Sequence, residues 1–100
     1  GVALHVLALA VDLRIPNAGS LKDKRSAIRT IVDGARRRHG VSAAETGRND
    51  DHHRAELGFA VVASSPGQCT EVLDAVERFV WSFPEIDVVA TERHRTEVDR

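Results

Sequence analysis

Cysteine is almost missing from this chain. One residue, Cys69, in 100 rules out an internal disulfide framework and any thiolate zinc site built by a single chain. That usage fits a reducing compartment. Aromatics are scarce as well, with three Phe, one Trp and no Tyr, which leaves little material for stacking nucleobases. Charge of one sign is not in excess: 14 Lys and Arg against 15 Asp and Glu give a net charge of −1. Nucleic-acid binding would therefore have to come from a local patch. Long apolar runs are missing too. The longest, Val6 to Val11, stops at Asp12, far short of the ~20 residues a membrane helix needs. No membrane partner is expected, and the apolar start has no basic stretch ahead of it to make a secretory signal.

What is present is an ordinary folded-domain balance, 42% hydrophobic and 29% charged, enough for one small core. Along residues 2–15 the side chains alternate, which predicts a strand with His5, Leu7, Leu9, Val11, Leu13 and Ile15 on the core side. The opposite side carries Val6, Ala8 and Ala10, small apolar residues that predict partial cover by something else. Ser20-Leu21-Lys22-Asp23 has the form of a capping box, and Gly40 is a natural helix stop after Arg36-Arg37-Arg38-His39. A helix over Leu21 to His39 follows. Two short strands come next, Val41 to Thr46 and Arg54 to Ser64, joined by a polar hairpin loop. Ser65-Pro66 opens a second helix, whose broad apolar face runs through Cys69, Val72, Leu73, Val76, Phe79, Val80 and Phe83 before Pro84. A last strand is expected over Ile86 to Ala90, with 91–100 as a charged tail that frays.

The order βαββαβ, with right-handed crossovers, places both helices on one face of a four-stranded antiparallel sheet in the order 4-1-3-2. This is the α+β, ferredoxin-like arrangement, and it accounts for residues 1–100 as a single domain.

Several segments resemble the YlxP-like family of small bacterial proteins, a domain of unknown function. They are Ile15-Pro16, Ser20-Leu21-Lys22-Asp23-Lys24-Arg25-Ser26, Arg36-Arg37-Arg38, Val41 to Glu45, Arg54-Ala55-Glu56-Leu57-Gly58 and Val72-Leu73-Asp74 to Phe79-Val80. The resemblance implies a ferredoxin-like fold and a cytoplasmic protein. It also implies an RNA or ribosome association, because members are often encoded among translation and ribosome-maturation factors. No catalytic residues come with the family. The chain departs from the pattern in Gly47-Arg48-Asn49-Asp50-Asp51-His52-His53-Arg54-Ala55, where a histidine replaces a loop aromatic, and at Trp81, where a polar residue is common.

The chemistry-bearing residues gather on the first helix. Between Ser20 and Gly40, seven Lys and Arg face two Asp, a surplus of five positive charges. At about 100° per residue, Lys22, Arg25, Arg29 and Arg36 fall within an arc of about 60°, with Arg37 nearby. Such a stripe suits phosphates, which give affinity without sequence reading; a solvated face with weak Arg29–Asp33 or Arg36–Asp33 pairs is the plainer alternative. Asp50-Asp51-His52-His53 reads as a polar hairpin loop rather than a metal site, since adjacent loop residues rarely converge on one ion, and an Asp50–Arg54 pair could brace it. No nucleophile elbow or phosphate-binding glycine loop is present, so no reaction and no cofactor are legible.

Two function classes follow. One is a non-enzymatic RNA- or ribosome-associated module led by the basic helix. The other is a self-associating regulatory or small-ligand-binding module of ACT-like type, a homo-oligomer through the open sheet face, with Val6, Ala8 and Trp81 making partner contacts. Trp81 lies well off the apolar face of the second helix, so its indole is expected to be at least partly exposed.

Overall fold

A computed structural model describes residues 2–100, with side chains from Leu4 onward. The elements run β1 (Val2–Arg14), α1 (Leu21–His39), β2 (Ser42–Gly47), β3 (Arg54–Ala63), α2 (Pro66–Trp81) and β4 (Asp87–Asp99). They form one four-stranded sheet in the order β2-β3-β1-β4, antiparallel at each pairing. The α+β arrangement read from the sequence is the one observed.

Both ends of α1 sit where the sequence puts them. The Ser20 Oγ accepts from Asp23 N at 3.1 Å, and the Asp23 carboxylate reaches back to Gly19 N at 3.0 Å, so the capping box is closed one residue earlier than usual. Gly40 takes φ 63°, ψ 30°, a left-handed turn that costs a side-chain-bearing residue more than glycine. In α2, Ser65 Oγ accepts from Gln68 N at 3.2 Å ahead of Pro66.

The core lies between sheet and helices. Leu7, Leu9, Val11, Leu13 and Ile15 from the first segment pack with Ile28, Ile31 and Ala35 of α1 and Leu73, Val76 and Val80 of α2. Cys69 is buried, as its helix position requires, and His5 is buried at the edge of the core. The two helices touch where Phe79 covers Gly34. A Cβ on Gly34 would come within 2.5 Å of the Phe79 ring, so this crossing needs a residue without a side chain. Arg38 lies 5.2 Å from the same ring's centre, one of the basic residues of α1 already in use.

The end of the chain differs from expectation. Residues 91–100 are not a frayed tail: β4 continues to Asp99, and β1 pairs with it from Val2↔Asp99 to Arg14↔Asp87. The physical reason is β1 itself. Its 13 residues present a full row of backbone groups, and β3 covers only the other side of it. Thr91 to Asp99 is charged because it is an edge strand, and its polarity marks contact with water rather than lack of order.

Candidate nucleic-acid interface

The basic helix divides into two sets of cations. On its outer side, Lys22, Arg25, Arg29 and Arg37 are exposed, and none of them has an ion pair or side-chain hydrogen bond among the described residues. Lys22, Arg25 and Arg29 occupy about two helical turns, roughly 10 Å along the axis. Arg25 and Arg29 overlook a shallow hollow between α1 and β2, floored by Ile28, Val32 and Ala44.

Arg36 belongs to the same arc but is committed elsewhere. One guanidinium nitrogen donates to the Ala43 carbonyl on β2, and the other lies 3.4 Å from Asp33. The Asp33 contact is between two half-exposed groups and adds little. The carbonyl bond ties α1 to the edge strand, so Arg36 serves the fold before it serves a ligand. No Arg29–Asp33 pair is formed among the described residues.

Lys24 adds to the positive charge of the helix but not to its outer surface: it is fully buried, 0% exposed. Its Nζ donates to the carbonyl oxygens of Arg48 (2.7 Å), Asp51 (2.8 Å) and Arg54 (3.0 Å), and lies 3.5 Å from that of Asn49. The Glu45 Oε2 stands 2.8 Å away, at an approach too oblique for a directed hydrogen bond, so that contact is ionic. An ammonium has three protons and a compact charge, and a ring of carbonyls with one carboxylate satisfies it. The β2–β3 loop is thereby wrapped around Lys24, with its carbonyls turned inward. A helical wheel holds the signal: Lys24 falls at about 200°, between Ile31 and Ile28 on the apolar arc.

The loop is braced from its own residues too. Asp51 N donates to the Arg48 carbonyl at 3.1 Å, where Arg48 has φ 58°, and the Asp51 carboxylate accepts from His53 N at 2.9 Å. That hydrogen bond from His53 is the main cause holding the Asp51 pKa below its ordinary value. The brace is therefore Asp51 with Lys24, and no Asp50–Arg54 ion pair exists among the described residues. The His52 and His53 rings lie 4.2 Å apart between centres and tilted by 56°, and no three ligand-type side chains among the described residues converge on a metal position.

The open face of the sheet is a separate surface. Register places Val6 beside Val62, Ala8 beside Ala60 and His94, and Ala10 beside Gly58 and Glu92. The small side chains leave a groove of about 390 Å³, and Val62 beside it is 63% exposed. No Phe, Tyr or Trp side chain among the described residues lies on this face; Phe59 points into the core and Trp81 stands at the end of α2. Trp81 is 60% exposed, as its wheel position requires. It lines a small hollow with Asp74, Glu77, Arg78 and Arg93. Arg93 bridges Asp74 (2.9 Å) and Glu77 (3.1 Å). Partial burial alone would lower the Arg93 pKa, but the hydrogen bonds to Glu77 and Asp74 outweigh it and raise it.

Among the described residues no helix is long and apolar enough to cross a membrane. A family described as "Protein of unknown function (DUF503)" matches residues 6–93. A curated relative, "Uncharacterized protein YlxP" of Bacillus subtilis (strain 168), is 40% identical over 77 residues, covering 77% of this chain and 84% of the relative. Among solved structures, protein SO0527 from Shewanella oneidensis shares 13% identity at a TM-score of 0.49, over 98% of this chain and 95% of the other. A de novo designed protein, Foldit4, shares 10% identity at a TM-score of 0.47, over 95% and 98%. Both are loose likenesses of fold.

Proposed function

The chain belongs to the DUF503 family, and from that premise we propose that it is a non-enzymatic cytoplasmic module that binds RNA, free or in the ribosome, through the outer side of α1. The observation that carries this reading is the set Lys22, Arg25 and Arg29, exposed cations without partners among the described residues, aligned on one side of a helix. Cations so placed neutralise phosphates and release counterions. The reading also fixes the mode. Sheets of this topology that read RNA bases do so by stacking them on exposed aromatics, and the open face has none among the described residues. Contact through α1 would then follow the sugar–phosphate backbone with little sequence preference.

The test is fluorescence anisotropy with a labelled RNA at low salt. Lys22→Glu combined with Arg25→Glu and Arg29→Glu should weaken binding at least tenfold and leave the circular dichroism unchanged. Arg36 stays out of the set because its loss would loosen β2 as well. No binding by the parent at low salt would end this reading.

A second reading is favoured by the groove beside the exposed Val62. There the chain would act as an ACT-like module that takes a small apolar ligand or a second subunit on its open face. Saturable thermal stabilisation by one compound from a metabolite panel would support it.

A further inference from the structure

The longest unpartnered backbone in the fold is the outer edge of β4. The strand runs from Asp87 to Asp99, pairs on one side with β1, and ends the sheet on the other. From Glu92 to Arg100 every residue is exposed except Arg93, which is half-buried. A long edge of this kind invites pairing with another strand unless its side chains prevent it. Here the side chains follow a pattern that rejects most partners and fits one.

We propose that the edge of β4 is a self-recognition surface, and that two copies of this chain join β4 to β4 antiparallel, about a two-fold axis through Thr96. Residues then meet in pairs: Thr96 with Thr96, Arg95 with Glu97, His94 with Val98, Arg93 with Asp99 and Glu92 with Arg100. Each unlike pair occurs twice because the interface is isologous. A two-fold perpendicular to the sheet keeps each residue on its own face. Arg95 and Glu97 both stand on the helix side, opposite Leu7 and His5 of β1. They therefore meet their counterparts on that same side.

Other registers fail on charge or geometry. An axis at Glu92, Arg93, Arg95 or Glu97 sets that residue against its own copy. An axis at His94 opposes Arg93 with Arg95, and one at Val98 opposes Glu97 with Asp99. Like charges directly opposite destabilise a strand pair. Axes at Ala90 or Thr91 avoid this, but they draw on the stretch where the ladder with β1 skips Val89. A bulge there breaks the regular spacing that a new ladder needs.

The proposal rests on Arg95 and Glu97. Arg93 already donates to Asp74 and Glu77, whereas Arg95 has a single long contact, 3.5 Å to Thr70. The Glu97 side chain is 52% exposed and stands 3.7 Å from His5. The product is a continuous eight-stranded sheet, β2-β3-β1-β4-β4-β1-β3-β2, with four helices on one face. It leaves the outer side of α1 in each copy open at the far ends, so this inference neither needs nor competes with RNA binding.

Sedimentation velocity across a concentration series at low salt tests it. The parent should show reversible dimers. Arg95→Glu and Glu97→Arg should each weaken the dimer at least tenfold, and the combined Arg95→Glu/Glu97→Arg chain should dimerise again because the pair is restored in reverse. In the parent, amide exchange along 93–99 should slow as concentration rises, while β2 amides stay unchanged; this readout needs no variant. A parent that stays monomeric at its solubility limit overturns the proposal. So does a dimer indifferent to both single reversals, which would place self-association on the open sheet face, or a double reversal that fails to restore association.

Discussion

Lys22 and Lys24 are two residues apart on the same helix and lead opposite lives. Lys22 is exposed and partnerless among the described residues, with Arg25 and Arg29 beside it. Lys24 is sealed from water by the β2–β3 loop, with Glu45 and at least three backbone carbonyls around its ammonium. About half a turn of helix thus separates a charge that is available from a charge that is consumed. The net charge of a segment measures neither. Of the seven cations of α1, Lys24 holds a loop, Arg36 holds an edge strand and Arg38 lies against a ring. The remaining four are exposed, with no ion pair or side-chain hydrogen bond among the described residues.

The contrast is sharpest in stability. Lys24→Met keeps the apolar stem and removes the ammonium, leaving Glu45 and the inward carbonyls without their partner. Loss of one member of a buried ion pair costs about 3–5 kcal/mol, and urea unfolding should register a loss of that order. Lys24→Arg should rescue little, since a planar guanidinium does not fit a site built around a compact ammonium. The inner side of α1 can be probed again at Gly34. Gly34→Ala places a methyl against Phe79, and overpacking of this kind costs about 1–3 kcal/mol. The outer side should behave otherwise. Lys22→Glu, Arg25→Glu or Arg29→Glu should each shift stability by no more than about 0.5 kcal/mol.

Smaller effects refine the same distinction between exposed and committed groups. Trp81 should be readily quenched by acrylamide in the monomeric chain, and a quencher-resistant, blue-shifted emission would contradict its 60% exposure. Asp51 has a lowered pKa because His53 N donates to it. Its contribution to loop order is therefore complete above the ordinary carboxylate range and is lost as pH falls through the lowered value. Exchange at the His53 amide should quicken over that acid range, and Asp51→Ala should abolish the pH dependence.

The elements that sequence made legible are those fixed by side-chain pattern. Helix α1 begins and ends as expected because Ser20, Asp23 and Gly40 act locally, and the alternation of β1 reports its two faces directly. The exposure of Lys22, Arg25 and Arg29 was legible for the same reason. The cage around Lys24 was not, because its walls are backbone carbonyls that any residues could supply. Its position on the apolar arc was the trace left in the sequence. The bond from Arg36 to Ala43 was hidden likewise, since it depends on how close β2 comes to the helix. The last strand was misjudged from composition: Thr91 to Asp99 looks like a solvated tail until β1 is seen to need a neighbour along its whole length.

The division of α1 into available and consumed cations is tested most directly by the salt dependence of RNA affinity. With about three cations engaged, the slope of log affinity against log salt should lie near −2 to −3, following roughly −0.7 to −0.9 per neutralised phosphate. The account predicts that slope for the parent and a slope close to zero for the Lys22→Glu/Arg25→Glu/Arg29→Glu chain. A slope that the triple substitution leaves unchanged would contradict it.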